Sequence, residues 1–474
     1  MSEAKIMQKI VYKGTLQLQS PLLIGTGMET DNRKNEADVH VLKDKQEQPF
    51  IPGTSLAGVL RDWLAGVNAE AAENLFGFVT QNENSMNDVQ SAIAVSDVIL
   101  KNAEVMVRDG VSIDGYTGTG IKGAKYDYEA VERGAKGDFS MIITVREYQE
   151  KKIPELESLI ECLADRLCSG IRVGALTAKG FGLVAVPDIT VYYYNFNVKN
   201  SVVSWLLKQP SKKQYRGKTI ANNAGNTFVV DGEFALKTSL LLRDLNQNEK
   251  KGDTKINAVP MKSKNDYLIP GTSLKGVLRH QAEKILTVLG KPESDLDKLM
   301  GFSKESESRK SRFFVDEVYF KDGVFEKEQT RNRIDRFTGG TVESALFTNR
   351  ALWQKTENLP VLHIHYEIRE CEDWEAGLAL FLLKDLWTGN IAIGGEKSIG
   401  RGLLRGLKAT INFQNRKYVI EADGKTLPED REQLEKFALA CPLKERRLYN
   451  YEHRISKTAV KNPGRKLSDR KSKR

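Results

Sequence analysis

Ile51-Pro52-Gly53-Thr54-Ser55-Leu56-Ala57-Gly58-Val59-Leu60-Arg61 returns almost letter for letter as Ile269-Pro270-Gly271-Thr272-Ser273-Leu274-Lys275-Gly276-Val277-Leu278-Arg279. Each copy reads as an apolar strand end, a Pro-Gly turn and a helix opened by Thr/Ser. The first turn of such a helix leaves backbone N–H groups unpaired at the positive end of the dipole, which suits a phosphate. Ser55 and Ser273 can add hydroxyl donors, while Arg61, Lys275 and Arg279 add charge. One copy alone is equally well an ordinary helix start. Two copies ask what the chain repeats.

Outward from this stretch the same order of features recurs. Ile51 and Ile269 are 218 residues apart, Asp97 and Asp316 219, Ile113 and Ile334 221, and Gly180 and Gly400 220. A common order at a common spacing is a duplication, with about two hundred residues in each copy, too many for a solenoid unit. An alternating strand over residues 8–24 precedes the first helix. Strands at 92–100 and 139–145, a helix at 153–168 and a strand at 183–194 follow it. The second copy repeats the set, so each half reads β–α–β–β–α–β, the ferredoxin-like (RRM-like) arrangement. The expected fold is α+β, two such domains in tandem with long inserted loops. The boundaries fall at 1–196, a basic linker at 197–226, 227–415, and a C-terminal helix and basic tail at 416–474.

The chain of 474 residues is 40% apolar, enough for sizeable cores. No apolar run approaches the roughly 18 residues needed to cross a bilayer. The start lacks the apolar core of a signal peptide. Four cysteines at 162, 168, 371 and 441 fit neither a zinc site nor a disulfide framework, so a reducing cytoplasm is expected. Residues 443–474 hold 12 Lys/Arg against 3 Asp/Glu and so carry the whole of the formal +9. A basic tail is a solvated end or an arm for a polyanion. Because the body is balanced, an RNA groove there has to come from local arrangement.

Gly118-Thr119-Gly120-Ile121-Lys122-Gly123 matches G-x-G-x-x-G, but no apolar strand precedes it, which excludes a dinucleotide site. Gly180-Phe181-Gly182 partly matches an RRM stacking motif without its second aromatic, and the other copy has Gly400-Arg401-Gly402. What both keep is glycine, expected close to the Pro-Gly helix, where RNA backbone can approach the main chain. His363 and His365 share a strand face with no third ligand in view, which reads as structural. Tyr116, Tyr126, Tyr128 and Phe337 sit among glycines and basic residues; they suit unstacked bases or a hairpin packed on the body. Acids cluster in the loops before the helices, Asp31, Glu36, Asp38 and Asp44 in one and Asp253 and Asp266 in the other. Loop acids are usually solvated, but near bound phosphates they can hold a divalent ion or engage a ribose hydroxyl.

Together these motifs resemble the RAMP-superfamily backbone subunit of type III CRISPR–Cas effector complexes: the IPG[ST]SLKG-type helix, the acidic loop before it, the central Ile-Asp hairpin and the late G-x-G loop. The resemblance covers roughly 5–195 and 225–413. Two such subunits in one chain resemble the double RAMP of type III-D systems.

The resemblance implies a subunit that stacks along a CRISPR RNA, with other RAMP subunits and a large polymerase-like subunit as partners, in the cytoplasm and off the membrane. It implies a backbone grip by Gly53, Thr54, Ser55, Arg61, Gly180 and Gly182, and by Gly271, Thr272, Ser273, Lys275, Arg279, Gly400, Arg401 and Gly402. It implies a thumb hairpin in each half, with Ile113, Asp114, Tyr116 and Thr117 in one and Ile334, Asp335, Phe337 and Thr338 in the other. Each thumb displaces a nucleotide of the guide–target duplex. An aspartate before the helix then promotes cleavage of target RNA with Mg2+ or Mn2+, through attack by the 2′-hydroxyl. The matching residue is Asp38. Its counterpart in the second half is Asn257, with Asp253 nearby as a substitute ligand and catalyst. A non-catalytic scaffold, and a metal-independent precursor endonuclease with His40 as base, are the alternatives.

Overall fold

The computed structural model describes residues 5–27, 37–78, 89–115, 117–153, 155–220, 226–244, 249–251, 254–303, 307–356 and 359–441. Asp31, Glu36, Tyr116, Asp253 and the basic tail from 442 onward lie outside these residues.

The fold is mixed α+β and rich in strands. The first half contributes β1 (Ile6–Leu18), α1 (Gly53–Val67), β2 (Ile93–Val95), β3 (Val105–Ile113), β4 (Gly120–Val131), β5 (Lys136–Arg146), α2 (Leu156–Ser169) and β6 (Thr190–Asn195). After it comes β7 (Lys213–Arg216). The second half contributes β8 (Phe228–Leu236), β9 (Thr254–Pro260), α3 (Gly271–Val288), β10 (Phe313–Val315), β11 (Val324–Ile334) and β12 (Thr341–Gln354). It closes with β13 (Leu362–Ile368), α4 (Asp373–Thr388), β14 (Leu404–Phe413), β15 (Arg416–Glu421) and α5 (Pro428–Leu439).

The first main sheet runs β7-β6-β1-β5-β2 and the second β10-β13-β8-β14-β15. In each, the opening strand is central, flanked by the strand after the hairpin and by the last strand, all antiparallel. The segment between the halves supplies β7, which pairs with β6 on the edge of the first sheet.

Helix spacing explains how each sheet is covered. Leu56, Leu60 and Leu64 bury one stripe of α1, and Leu274, Leu278 and Ala282 bury the same stripe of α3, as an i, i+4, i+8 pattern requires. Leu159, Leu163 and Leu167 do the same for α2, and Leu378, Leu382 and Leu386 for α4. The result is two large cores that share no residue, one built from Ile10 to Tyr193 and one from Phe228 to Cys441.

Between the second and third core strands of each half stands a long hairpin. Its register is the same in both copies: Arg108 faces Tyr128 as Gln329 faces Asn349, and Ile113 faces Gly120 as Ile334 faces Thr341. Both carry a bulge just before the tip. Gly118–Gly123 belongs to this hairpin.

The register corrects one pairing read from sequence. Val95 and Val315 occupy the same place against Met141 and Tyr366, so the partner of Asp97 is Glu317 and that of Asp316 is Ser96. A shift of one residue moves a side chain to the opposite strand face.

Candidate functional site

The two Pro-Gly helix starts are built alike and dressed differently. At α1 the Asp97 carboxylate accepts the Gly53 amide at 2.8 Å. A carboxylate there occupies the place a phosphate would take. At α3 the equivalent acid, Glu317, points elsewhere, and no side-chain cap serves the helix start among the described residues. The α3 amides face Lys179 of the first half: a Cβ added to Gly271 would lie 2.1 Å from the Lys179 carbonyl oxygen. Only glycine permits that approach.

Three cations crowd this place. Burial lowers the amine of Lys179, and Arg279 lowers it further. Burial, then Lys179 and Arg279, push Lys275 down to about 7. Arg279 donates to Asp297 and to the Gly301 carbonyl, while Lys179 has no acidic partner among the described residues. Crowded, partly desolvated positive charge beside open helix amides is an environment that favours an anion.

Lys275 and Arg401 differ from their expected places at an RNA surface. Lys275 is buried and donates to Ser311 Oγ at 2.6 Å and to the Phe313 carbonyl at 2.7 Å. Its field reaches an anion, but its ammonium faces inward. Arg401 is 3% exposed and bonded to Glu396, Ser239 and Gln329. Thr54 and Arg61 are exposed on α1, and Ser55, Thr272 and Ser273 are half-buried.

The glycine loops divide into two roles. Gly182 and Gly402 sit at positive φ, where an added Cβ would strike the Val173 and Ile393 carbonyls at 2.0 and 1.9 Å. They are packing positions. Gly180 lies against Glu317 of the second half, and Gly400 meets nothing within 4 Å. The first glycine loop thus approaches the helix of the other half, where the sequence suggested its own.

Asp38 lies at the root of the first hairpin. The segment carrying it runs parallel to β4, with Val39 beside Tyr128. Asp38 Oδ2 accepts the Asp127 amide at 2.8 Å, while the side chain remains exposed. In the second half β9 runs parallel to β12, and Asn257 Oδ1 accepts the Thr348 amide at 3.0 Å. Thr348 is the register partner of Asp127, so Asn257 occupies the place of Asp38 with the charge removed.

The surroundings change with it. His40 Nδ1 is 3.3 Å from Glu129 Oε1, and Glu129 Oε2 accepts the Val41 amide. Hydrogen bonding with Asp109, then burial, holds the Asp127 carboxyl above its ordinary range. In the second half the positions of His40, Asp127 and Glu129 are Val259, Thr348 and Arg350. Among the described residues no group of three or more His, Cys, Asp or Glu is set to hold a metal. A hard divalent cation needs only one or two carboxylates when phosphates and water complete its shell, and exposed Asp38 fits that role.

Each hairpin tip is locked by an aspartate. Asp114 Oδ1 accepts from the Thr117 amide and hydroxyl, and Asp335 Oδ1 accepts from the amides of Phe337 and Thr338 and the Thr338 hydroxyl. Ile113 and Ile334 are exposed at the strand ends, and Phe337 is 99% exposed at its tip. The first tip rests on α3, with Gly115 beside His280 and Glu283. Tyr128 is buried and stacks on Tyr126 at 5.8 Å, so it belongs to the body. His365 binds Asp231 at 2.6 Å, a local polar contact on the second sheet.

Three residues that matter here escaped the sequence: Lys179, Asp127 and Glu129. Lys179 carried a signal, standing directly before Gly180. The other two are visible only when β4 is laid beside the Asp38 segment.

A family model described as the RAMP superfamily matches residues 15–185 and 225–405. The chain is similar to a protein of Methanocaldococcus jannaschii (strain ATCC 43067 / DSM 2661 / JAL-1 / JCM 10045 / NBRC 100440) named "CRISPR system Cms endoribonuclease Csm3". The two are 23% identical over 210 residues, which is 40% of this chain and 83% of that relative.

Proposed function

This chain belongs to the RAMP superfamily, matched in both halves, and from that premise we propose that it is a double backbone subunit of a type III CRISPR RNA-guided effector complex. Its two sheets are ferredoxin-like domains over 1–196 and 227–415, joined by the 197–226 linker and followed by a tail. It binds CRISPR RNA along its backbone and presents complementary target RNA to Asp38, with other RAMP subunits and a large polymerase-like subunit in the same cytoplasmic particle. Among the described residues no helix is long and apolar enough to cross a membrane.

The observation that carries the guide-binding part is the cation cluster at the α3 start: Lys179, Lys275 and Arg279 beside uncapped amides. Such a grip reads phosphate and not base. Substituting Lys179 with Ala should weaken binding of a guide-length RNA at every sequence and reduce the slope of log K against log salt by about one. Unchanged affinity and slope would refute the placement.

Cleavage belongs to the first half. Asp38 is fixed by the Asp127 amide through Oδ2, and Oδ1 is available to a ribose hydroxyl or a cation. The 2′-oxygen attacks the adjacent phosphorus, the bond to the 5′-oxygen breaks, and a cyclic phosphate remains. Mg2+ or Mn2+, held by Asp38 and RNA phosphates, would lower the charge cost of that attack. In the second half Asn257 brings no charge, so a second cut depends on Asp253 and is slower. A metal-independent reading is favoured by one contact, His40 with Glu129, which orients the ring as a base. Cleavage that survives EDTA and is lost in His40→Gln would select it.

A further inference from the structure

The two halves meet head to tail. The hairpin root and glycine loop of the first half dock on the helix start and following strand of the second. Three charged contacts hold this junction. Arg108 pairs with Glu317 while both are almost fully buried; Arg172 pairs with Asp316; Arg133 pairs with Asp266 and reaches Ser263. Because the chain is a duplication, the same two surfaces exist once more, unused. The second half has an open docking face, and the first half has an open receiving face.

Exposure marks the open faces. Gly180 is buried at the junction, but Gly400 has nothing within 4 Å of an added Cβ. Ile399, in the place of Lys179, is 55% exposed. On the receiving side Thr54, Ser96 and Gln48 are exposed.

The hairpin, helix and strand registers give the counterpart of each junction residue. Arg108, Arg172 and Arg133 become Gln329, Ala392 and Gln354. Glu317, Asp316 and Asp266 become Asp97, Ser96 and Gln48. A second copy docked in the same way would set Gln329 toward Asp97, Ala392 toward Ser96 and Gln354 toward Gln48. No ion pair forms at any of the three places.

Several of these groups are also spoken for. Gln329 binds Arg401, Gln354 accepts the Leu236 amide, and Asp97 accepts the Gly53 amide.

We infer that the face around Ala392, Ile399 and Gly400 is an interaction surface for a different protein of the same repeat type, and that the chain is built not to extend with copies of itself. The inference stands on the duplication and the junction alone, whatever the RNA chemistry. The occupant follows from continuity with the junction already formed. It presents a Pro-Gly-opened helix, with glycine at the contact as at Gly271, and an uncharged strand beyond it to match Gln329 and Ala392. Charge placed on one junction and withheld from its repeat is specificity by omission, which fixes order in a heterologous stack that would otherwise stay open-ended.

The test uses the full chain without RNA. Light scattering across a wide concentration range should give the monomer mass. Oxidation of the Thr54→Cys/Ile399→Cys double variant should give no ladder beyond that of the wild type. Two further variants restore the missing charges, Gln329→Arg/Ala392→Arg on one chain and Gln48→Asp/Ser96→Asp on another. Each should remain a folded monomer by far-UV circular dichroism, and their mixture should form a one-to-one complex. A wild-type chain that self-associates, or a cysteine ladder, overturns the inference. So does a mixture of folded variants that fails to pair, because charge would then not be the determinant.

Discussion

Removing either member of the Arg108–Glu317 pair should loosen the two halves, and unequally. The side chains are 2% and 0% exposed, so a lone charge left there has no water to turn to. Glu317→Gln strands the guanidinium, whose remaining contacts are the Phe181 ring at 5.2 Å and Met106 Sδ at 3.4 Å. A guanidinium cannot shed its proton. The cost is that of breaking a buried pair, about 3–5 kcal/mol.

Arg108→Met strands a carboxylate that keeps the Tyr319 hydroxyl and can take up a proton. Burial already pushes that carboxyl upward. Its cost should be smaller, roughly 2 kcal/mol. The double variant Arg108→Met/Glu317→Leu should lie within about 1 kcal/mol of wild type, since no unpaired charge remains. Urea unfolding of the full chain, followed by tryptophan fluorescence and by protease cleavage near β10, measures all four. If the two single costs simply add in the double variant, the pair is not coupled and the junction is held by something else.

Other outcomes follow from the same geometry. The Lys275 amine lies at about 7 when folded against 10.5 for the model group. Between those values the unfolded chain binds a proton that the folded one has released. Stability should therefore rise with pH from about 7 to 10, by up to roughly 5 kcal/mol, and Lys275→Met should flatten that rise. Phosphate favours the charged amine, so guide affinity should fall as pH climbs above 7 and stay level in Lys275→Met; parallel titrations in both proteins would exclude the coupling. Asn257→Asp should create or speed a cut opposite the second half, because the Thr348 amide already holds that position as Asp127 holds Asp38. If Asp253→Ala abolishes that cut and Asn257→Asp does not affect it, Asp253 is the working acid. Phe337→Ala should change which target nucleotide is displaced without altering the melting temperature by more than about a degree, since the side chain is 99% exposed and packs on nothing.

Much of the architecture was legible because duplication writes the same period twice. The Leu56, Leu60, Leu64 stripe and its copy at Leu274, Leu278 and Ala282 needed no structure to place. The Asp97 and Asp316 match was misleading, since an identical letter outweighed the register by one residue, and the true partner Glu317 is the acid of the junction. Lys275 and Arg401 were read as surface charge. Their copies are Ala57 and Phe181, and the apolar letters already marked seats that face inward. The Asp97 carboxylate at the Gly53 amide, which separates the two helix starts, depends on tertiary packing across 44 residues and leaves no local pattern. Lys179 meets α3 of the other half, a contact no single-half reading contains.

The central claim is that Asp38 directs cleavage of target RNA bound to this subunit. The complex should be assembled with guide RNA and its partner subunits and supplied with end-labelled complementary target in Mg2+. Asp38→Asn keeps an oxygen for the Asp127 amide and removes only the charge. The account predicts that the cut opposite the first half disappears, with assembly, guide content and target affinity unchanged. A cut that persists at the wild-type rate in Asp38→Asn would place the chemistry elsewhere and contradict the account.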